Sequence, residues 1–115
     1  QAYDAAATLM LAALIASKDL TDPSIVTGTQ IRDALRATSD GAGASVGPGT
    51  TSLGTAVSLI SEGKAINYDG AGGPCDFDAN GNTKARLSYF RIVNSRFVDL
   101  ETYDCVTDAS CPLQP

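Results

Sequence analysis

The segment Asp76-Phe77-Asp78-Ala79-Asn80-Gly81-Asn82 places oxygen-bearing side chains at every second position ahead of a glycine. That is how a calcium loop opens, with carboxylate and amide oxygens gathered around a turn at the glycine, so Asp76, Asp78 and Asn80 are candidate metal ligands. Counting on, the twelfth position is Leu87, where a bidentate Glu belongs, and the flanking segments read as strands rather than helices. The residues favour the other reading, a turn in which Asp78 and Asn80 bond local backbone and Gly81 takes a positive φ. Asp69, Asp76 and Asp78 also raise an acid/base pair, since like charges close together shift each other's pKa. A glycosidase-type pair needs a cleft and a defined separation, and neither is visible in a sequence. The chain contains no His, which removes the commonest general base and the commonest transition-metal ligand. Ser61 with Lys64 reads as an exposed helix end. Gly70 to Pro74 lacks the Lys-Ser/Thr and the helix of a phosphate cradle, so it reads as a flexible crossing or a tight turn. The expectation is a non-catalytic protein without a cofactor.

The elements that must carry these residues change character along the chain. Tyr3, Ala6, Ala7, Met10, Leu11, Leu14 and Ile15 recur at spacings of three and four, which predicts a helix over residues 3–17 with that stripe buried. Asp19, Thr21, Asp22 and Pro23 break it. Thr27-Gly28-Thr29-Gln30 is a capping box that opens a second helix over 28–38, with Ile31, Ala34 and Leu35 inward. Ser39 to Gly49 reads as a glycine-rich loop. A third helix follows over 52–62, with Gly63 as its C-terminal cap. Thereafter β-prone segments take over, near 66–68, 75–77, 87–93 and 97–103, the last two joined around Asn94-Ser95-Arg96 as a hairpin. Residues 105–115 form a polar, Pro-ended tail. Three helices followed by a few short strands leave most strand edges unpaired, which predicts that further strands come from elsewhere.

Composition narrows the partners. The 115 residues include 13 acidic and 8 basic side chains, a formal charge of −5, with no Lys/Arg cluster to neutralise successive phosphates. Nucleic acid is not an expected partner. The longest apolar run, Leu9 to Ala16, falls far short of the ~20 residues that span a bilayer. The chain opens on Gln1 with no basic n-region or signal-type hydrophobic segment before the first helix, so whatever targets the protein is expected to lie outside this sequence. Cys75, Cys105 and Cys111 lack CxxC metal spacing and point to an oxidising compartment with one disulfide, for which three pairings are open. A bridge from Cys75 to the tail would close a much longer loop than Cys105 with Cys111.

Tyr3-Asp4-Ala5 opening an Ala-rich helix, then Ile31-Arg32-Asp33-Ala34-Leu35-Arg36, then Ala56 to Gly63, resemble the closing section of periplasmic type I solute-binding proteins of ABC transporters, the branched-chain amino-acid or amide-binding type. The most specific stretch runs from Ile60 to Asn82, which is similar to that family's G-x-x-I-x-Y-x-G-A-x-G-P crossing and D-F-D-x-N-G turn. The likeness extends from Tyr3 to about Tyr103. It departs at Cys75, where the family has an aliphatic residue, and in the tail.

The resemblance implies an α/β fold in which residues 1–104 are the C-terminal part of a two-lobed binding protein that closes on its solute by hinge motion. It implies a periplasmic or extracellular protein that carries a small polar solute, such as an amino acid or amide, to an ABC permease. Most ligand contacts would then lie in an N-terminal remainder. Tyr3 is the residue of this chain carried over as a ligand-binding candidate. Two further readings stand beside it: an extracellular structural or assembly module that joins neighbours by β-addition, and an extracellular domain stabilised by calcium at Asp76, Asp78 and Asn80.

Overall fold

In a computed structural model, residues 2–78, 80–83 and 86–104 are described. The chain divides into two compact units, Gln1–Thr83 and Lys84–Pro115. The first is a mixed α/β body. Helix α1 spans Ala2–Ser17, α2 Gly28–Ala34 and α3 Thr50–Ser61, and the strands are β1 (Ala44–Val46), β2 (Ile66–Gly70) and β3 (Gly73–Pro74). The second unit holds the antiparallel strands β4 (Arg86–Val93) and β5 (Arg96–Asp104).

Local chemistry explains where the helices stop and start. Thr27 and Gln30 form the expected capping box: Gln30 N donates to Thr27 Oγ1 at 3.3 Å while Thr27 N donates to Gln30 Oε1 at 2.8 Å. The α-helix holds only to Ala34, and Leu35–Thr38 tightens into a 3-10 turn whose last residue, the fully buried Thr38, donates its hydroxyl to Leu35 O at 2.7 Å. No residue of α2 is fully buried; Ile31, Ala34 and Leu35 are half-buried. At the end of α3, Gly63 sits at φ 73° and donates to Ile60 O at 2.9 Å, while Lys64 N reaches Leu59 O at 2.9 Å. That double closure is a Schellman cap, which only a glycine enters without strain.

The glycine-rich stretch expected as loop contains a strand. β1 lies parallel to β2, with Ala44 opposite Ile66, Ser45 opposite Asn67 and Val46 opposite Tyr68. Strand and crossover helix α3 therefore form a β-α-β unit. Gly43 is what admits β1 so close: a Cβ there would stand 2.5 Å from the Ile66 carbonyl carbon. The strand expected at 75–77 is not one; Phe77 makes only an isolated bridge to Thr83. Instead β2 turns back immediately, pairing Asp69 with Pro74 and Gly70 with Gly73.

The core joins α1 (Ala7, Leu11), α3 (Ala56, Ile60) and the inward faces of β1 and β2 (Val46, Ile66, Tyr68), with Leu14, Ile15, Leu53, Leu59 and Cys75 packed against it. α1 is rotated from the expected stripe. Its buried residues are Asp4, Ala7, Thr8, Leu11 and Ala12, whereas Tyr3 is 49% and Met10 45% exposed. The i, i+3, i+4 ladder therefore begins at a carboxylate, and the reason lies in what that carboxylate meets.

In the second unit a β-bulge between Tyr89 and Phe90 interrupts an otherwise regular register. Asn94 and Ser95 form a two-residue connection at φ 50° and 60°, the left-handed pair that a hairpin's twist demands. Tyr89 stacks edge-on to Tyr103 at 5.9 Å, and Phe90 to Phe97 at 4.9 Å.

Candidate functional site: the Tyr3–Asp4 rim

Parallel strands β1 and β2 end at the loop Gly47–Gly49 and the turn Gly70–Gly72, and the first turn of α1 brings Tyr3 and Asp4 to both. In α/β sheets the carboxyl ends of the strands are where ligands are bound. The two adjacent side chains divide the work. Asp4 faces inward: its Oδ1 accepts from Ala71 N at 2.7 Å and from the Tyr68 hydroxyl at 3.2 Å, and its Oδ2 accepts from Gly72 N at 2.8 Å. Tyr3 faces outward, its hydroxyl oxygen accepting from Gly49 N at 2.9 Å with its own O–H left to donate.

The glycines around Asp4 are there because the carboxylate fills their side-chain space. A Cβ on Gly70 would lie 2.5 Å from Asp4 Cγ, and one on Gly72 3.2 Å from Asp4 Oδ2. Gly70 to Pro74 is the tight turn that the sequence suggests, and its amides hold a carboxylate of the chain itself. The Gly72 amide, helped by Ala71 and Tyr68 and opposed by desolvation, holds Asp4 below the ordinary aspartate value of 3.8. Burial, with the Asp4 carboxylate as hydrogen-bond acceptor and neighbouring charge, pushes the Tyr68 phenol up to about 12. Burial likewise raises the Cys75 thiol, which points at Gly73 O from 3.7 Å.

Tyr3 is thus placed on an exposed rim. Beside it runs an open pocket lined by Pro48, Gly49, Thr50, Thr51, Ser52 and Thr55. Gly49, at φ 100°, provides no capping side chain to α3, and Ser52 Oγ is taken up by Gly47 N at 3.0 Å. The rim consequently offers hydroxyls and the amides at the start of α3.

The Asp76–Asn82 segment behaves as a turn. Asp78 Oδ1 accepts from Asn80 N and Asn82 N, both at 2.8 Å, Asp78 N donates to Asn82 O at 2.8 Å, and Gly81 takes φ 86°. These amide bonds, Asn82 first, keep Asp78 below the usual carboxylate range. Among the described residues no group of three or more His, Cys, Asp and Glu is gathered as for a metal ion. Cys75 carries a free thiol, while Cys105 and Cys111 lie outside the described residues. Among the described residues no helix is long and apolar enough to cross a membrane. Sequence reasoning missed Asp4, although an acidic residue three before Ala7 and seven before Leu11 was the available signal. No protein-family model, curated protein or solved structure matches the chain.

Proposed function

We propose that this chain supplies scaffold and hinge to a solute-binding protein that serves ABC-type uptake in the periplasm or outside the cell, with Tyr3 at the edge of the solute site. The observation that carries this reading is the division between Tyr3 and Asp4. A half-exposed tyrosine with a free O–H is held at the carboxyl end of a parallel pair by Gly49, and the turn beneath it is locked by a buried carboxylate. Such an edge is rigid and polar, as a binding surface must be. The hinge part of the proposal follows the resemblance to two-lobed binding proteins, which close on their solute by hinge motion.

In this reading the remaining contacts come from a remainder of the protein, and the solute is an amino acid or amide. Calorimetric titration with a panel of amino acids and amides tests it. The whole parent protein is expected to bind one member, and the 115-residue chain alone is expected to bind none; saturable binding by this chain alone would contradict it. The assembly-module reading draws on the hairpin, where Ile92 and Phe97 are 66% and 74% exposed. A strictly monomeric, well-folded chain on size-exclusion chromatography would count against that second reading.

A further inference from the structure

We propose that Asn80 is a site of spontaneous deamidation whose rate is held down by Asp78. Four asparagines occur, and Asn67, Asn82 and Asn94 precede Tyr, Thr and Ser, whereas Asn80 precedes Gly81. A glycine leaves its backbone nitrogen unshielded by any side chain, so that nitrogen can reach the preceding amide carbon. Both residues are exposed. In the reaction, the Gly81 nitrogen loses its proton to solvent base and attacks the Asn80 side-chain carbonyl carbon. The bond from that carbon to the amide nitrogen breaks and ammonia leaves. Water then opens the cyclic imide at either carbonyl to give aspartate or isoaspartate. One water enters, one ammonia departs, and nothing is oxidised or reduced.

The turn opposes the first step. Gly81 N–H is committed to Asp78 O at 3.1 Å, and Asp78 Oδ1 pins the amides on either side, Asn80 N and Asn82 N, at 2.8 Å each. Attack requires the Gly81 amide to leave its acceptor and the turn to swing. The product would also change its surroundings. Asn80 and Gly81 line a groove of about 500 Å³ with Phe77, Arg32 and Arg36, the two arginines of the Gln1–Thr83 unit. Loss of ammonia places a new carboxylate in this groove, which Asp33, paired with Arg32 at 2.6 Å, already lines.

The experiment incubates the full chain at mildly alkaline pH and maps peptides by mass spectrometry, with Asn80→Asp as the chromatographic standard. Conversion is expected at Asn80 before the other three asparagines. Asp78→Ala, which removes the carboxylate that pins the Asn80 and Asn82 amides and leaves the backbone acceptor of Gly81 N–H in place, is expected to loosen the turn and accelerate conversion about fivefold, the rate equivalent of one net hydrogen bond. Asp78→Asn retains an acceptor oxygen and is expected to stay close to the parent rate. Equal rates in the parent and Asp78→Ala, or earlier conversion at another asparagine, would overturn the proposal. Hydrogen exchange on the parent provides a check that needs no variant: the Gly81 amide should be protected, and exchange at the free-peptide rate would overturn the restraint by the turn.

Discussion

Asp4 shows how a single charged side chain can belong to a core. Its carboxylate replaces water with three donors, and the cost of burying it is met only while Tyr68, Ala71 and Gly72 all point at it. Asp4→Ala is therefore expected to destabilise the first unit by about 2 kcal/mol, chiefly through the stranded Tyr68 hydroxyl, as read by denaturant unfolding. The pH dependence has two edges. Because the folded pKa of Asp4 is depressed, its contribution is present above the ordinary value of 3.8 and is lost as pH falls through the folded value. Tyr68 is the opposite case: its folded pKa is raised to about 12, so its contribution is complete below the ordinary 10.0 and is lost as pH rises toward 12. Thermal unfolding across pH should show both edges, with the acid edge reduced in Asp4→Asn. The sequence made Tyr3 and Met10 look inward because hydropathy alone ranks Asp4 as a surface residue. Its acceptance depends on amides more than sixty residues away, which no local pattern encodes.

Among the elements, those governed by neighbours in sequence were legible. The capping box at Thr27, the Schellman glycine at Gly63 and the hairpin at Asn94–Ser95 each follow from residues within one turn of the chain. β1 was not legible, because Ala44-Ser45-Val46 is too short for a period and is flanked by glycines that read as loop. What makes it a strand is the parallel partner β2, reached across α3. Gly43→Ala tests this dependence: its Cβ would meet the Ile66 backbone at 2.5 Å, and backbone does not yield as a side chain does. The expected result is a loss of roughly 2–3 kcal/mol in chemical denaturation, comparable with other overpacking changes. In the hairpin, Ser95 at φ 60° occupies a conformation that suits glycine. Ser95→Gly is expected to stabilise β4–β5 by about 0.5–1 kcal/mol, seen as slower amide exchange across the strand pair.

For the molecule as a whole, the coarse α/β character was readable, while the division at Thr83–Lys84 was not, since no Pro- or Gly-rich linker marks it. A two-stranded hairpin is marginal by itself, and here it carries Phe90, Ile92, Phe97 and Leu100 more than half exposed. Surface of that kind is ordinarily covered, and the proposal that the chain is one part of a larger binding protein would supply the cover. The division between an outward tyrosine and an inward aspartate at the head of α1 is the centre of this account. It is tested most directly by titrating the parent protein with the proposed amino-acid or amide solute before and after Tyr3→Ala. About tenfold weaker binding is expected, the value of one well-placed polar contact, with the melting temperature nearly unchanged. Unchanged affinity in Tyr3→Ala would contradict it.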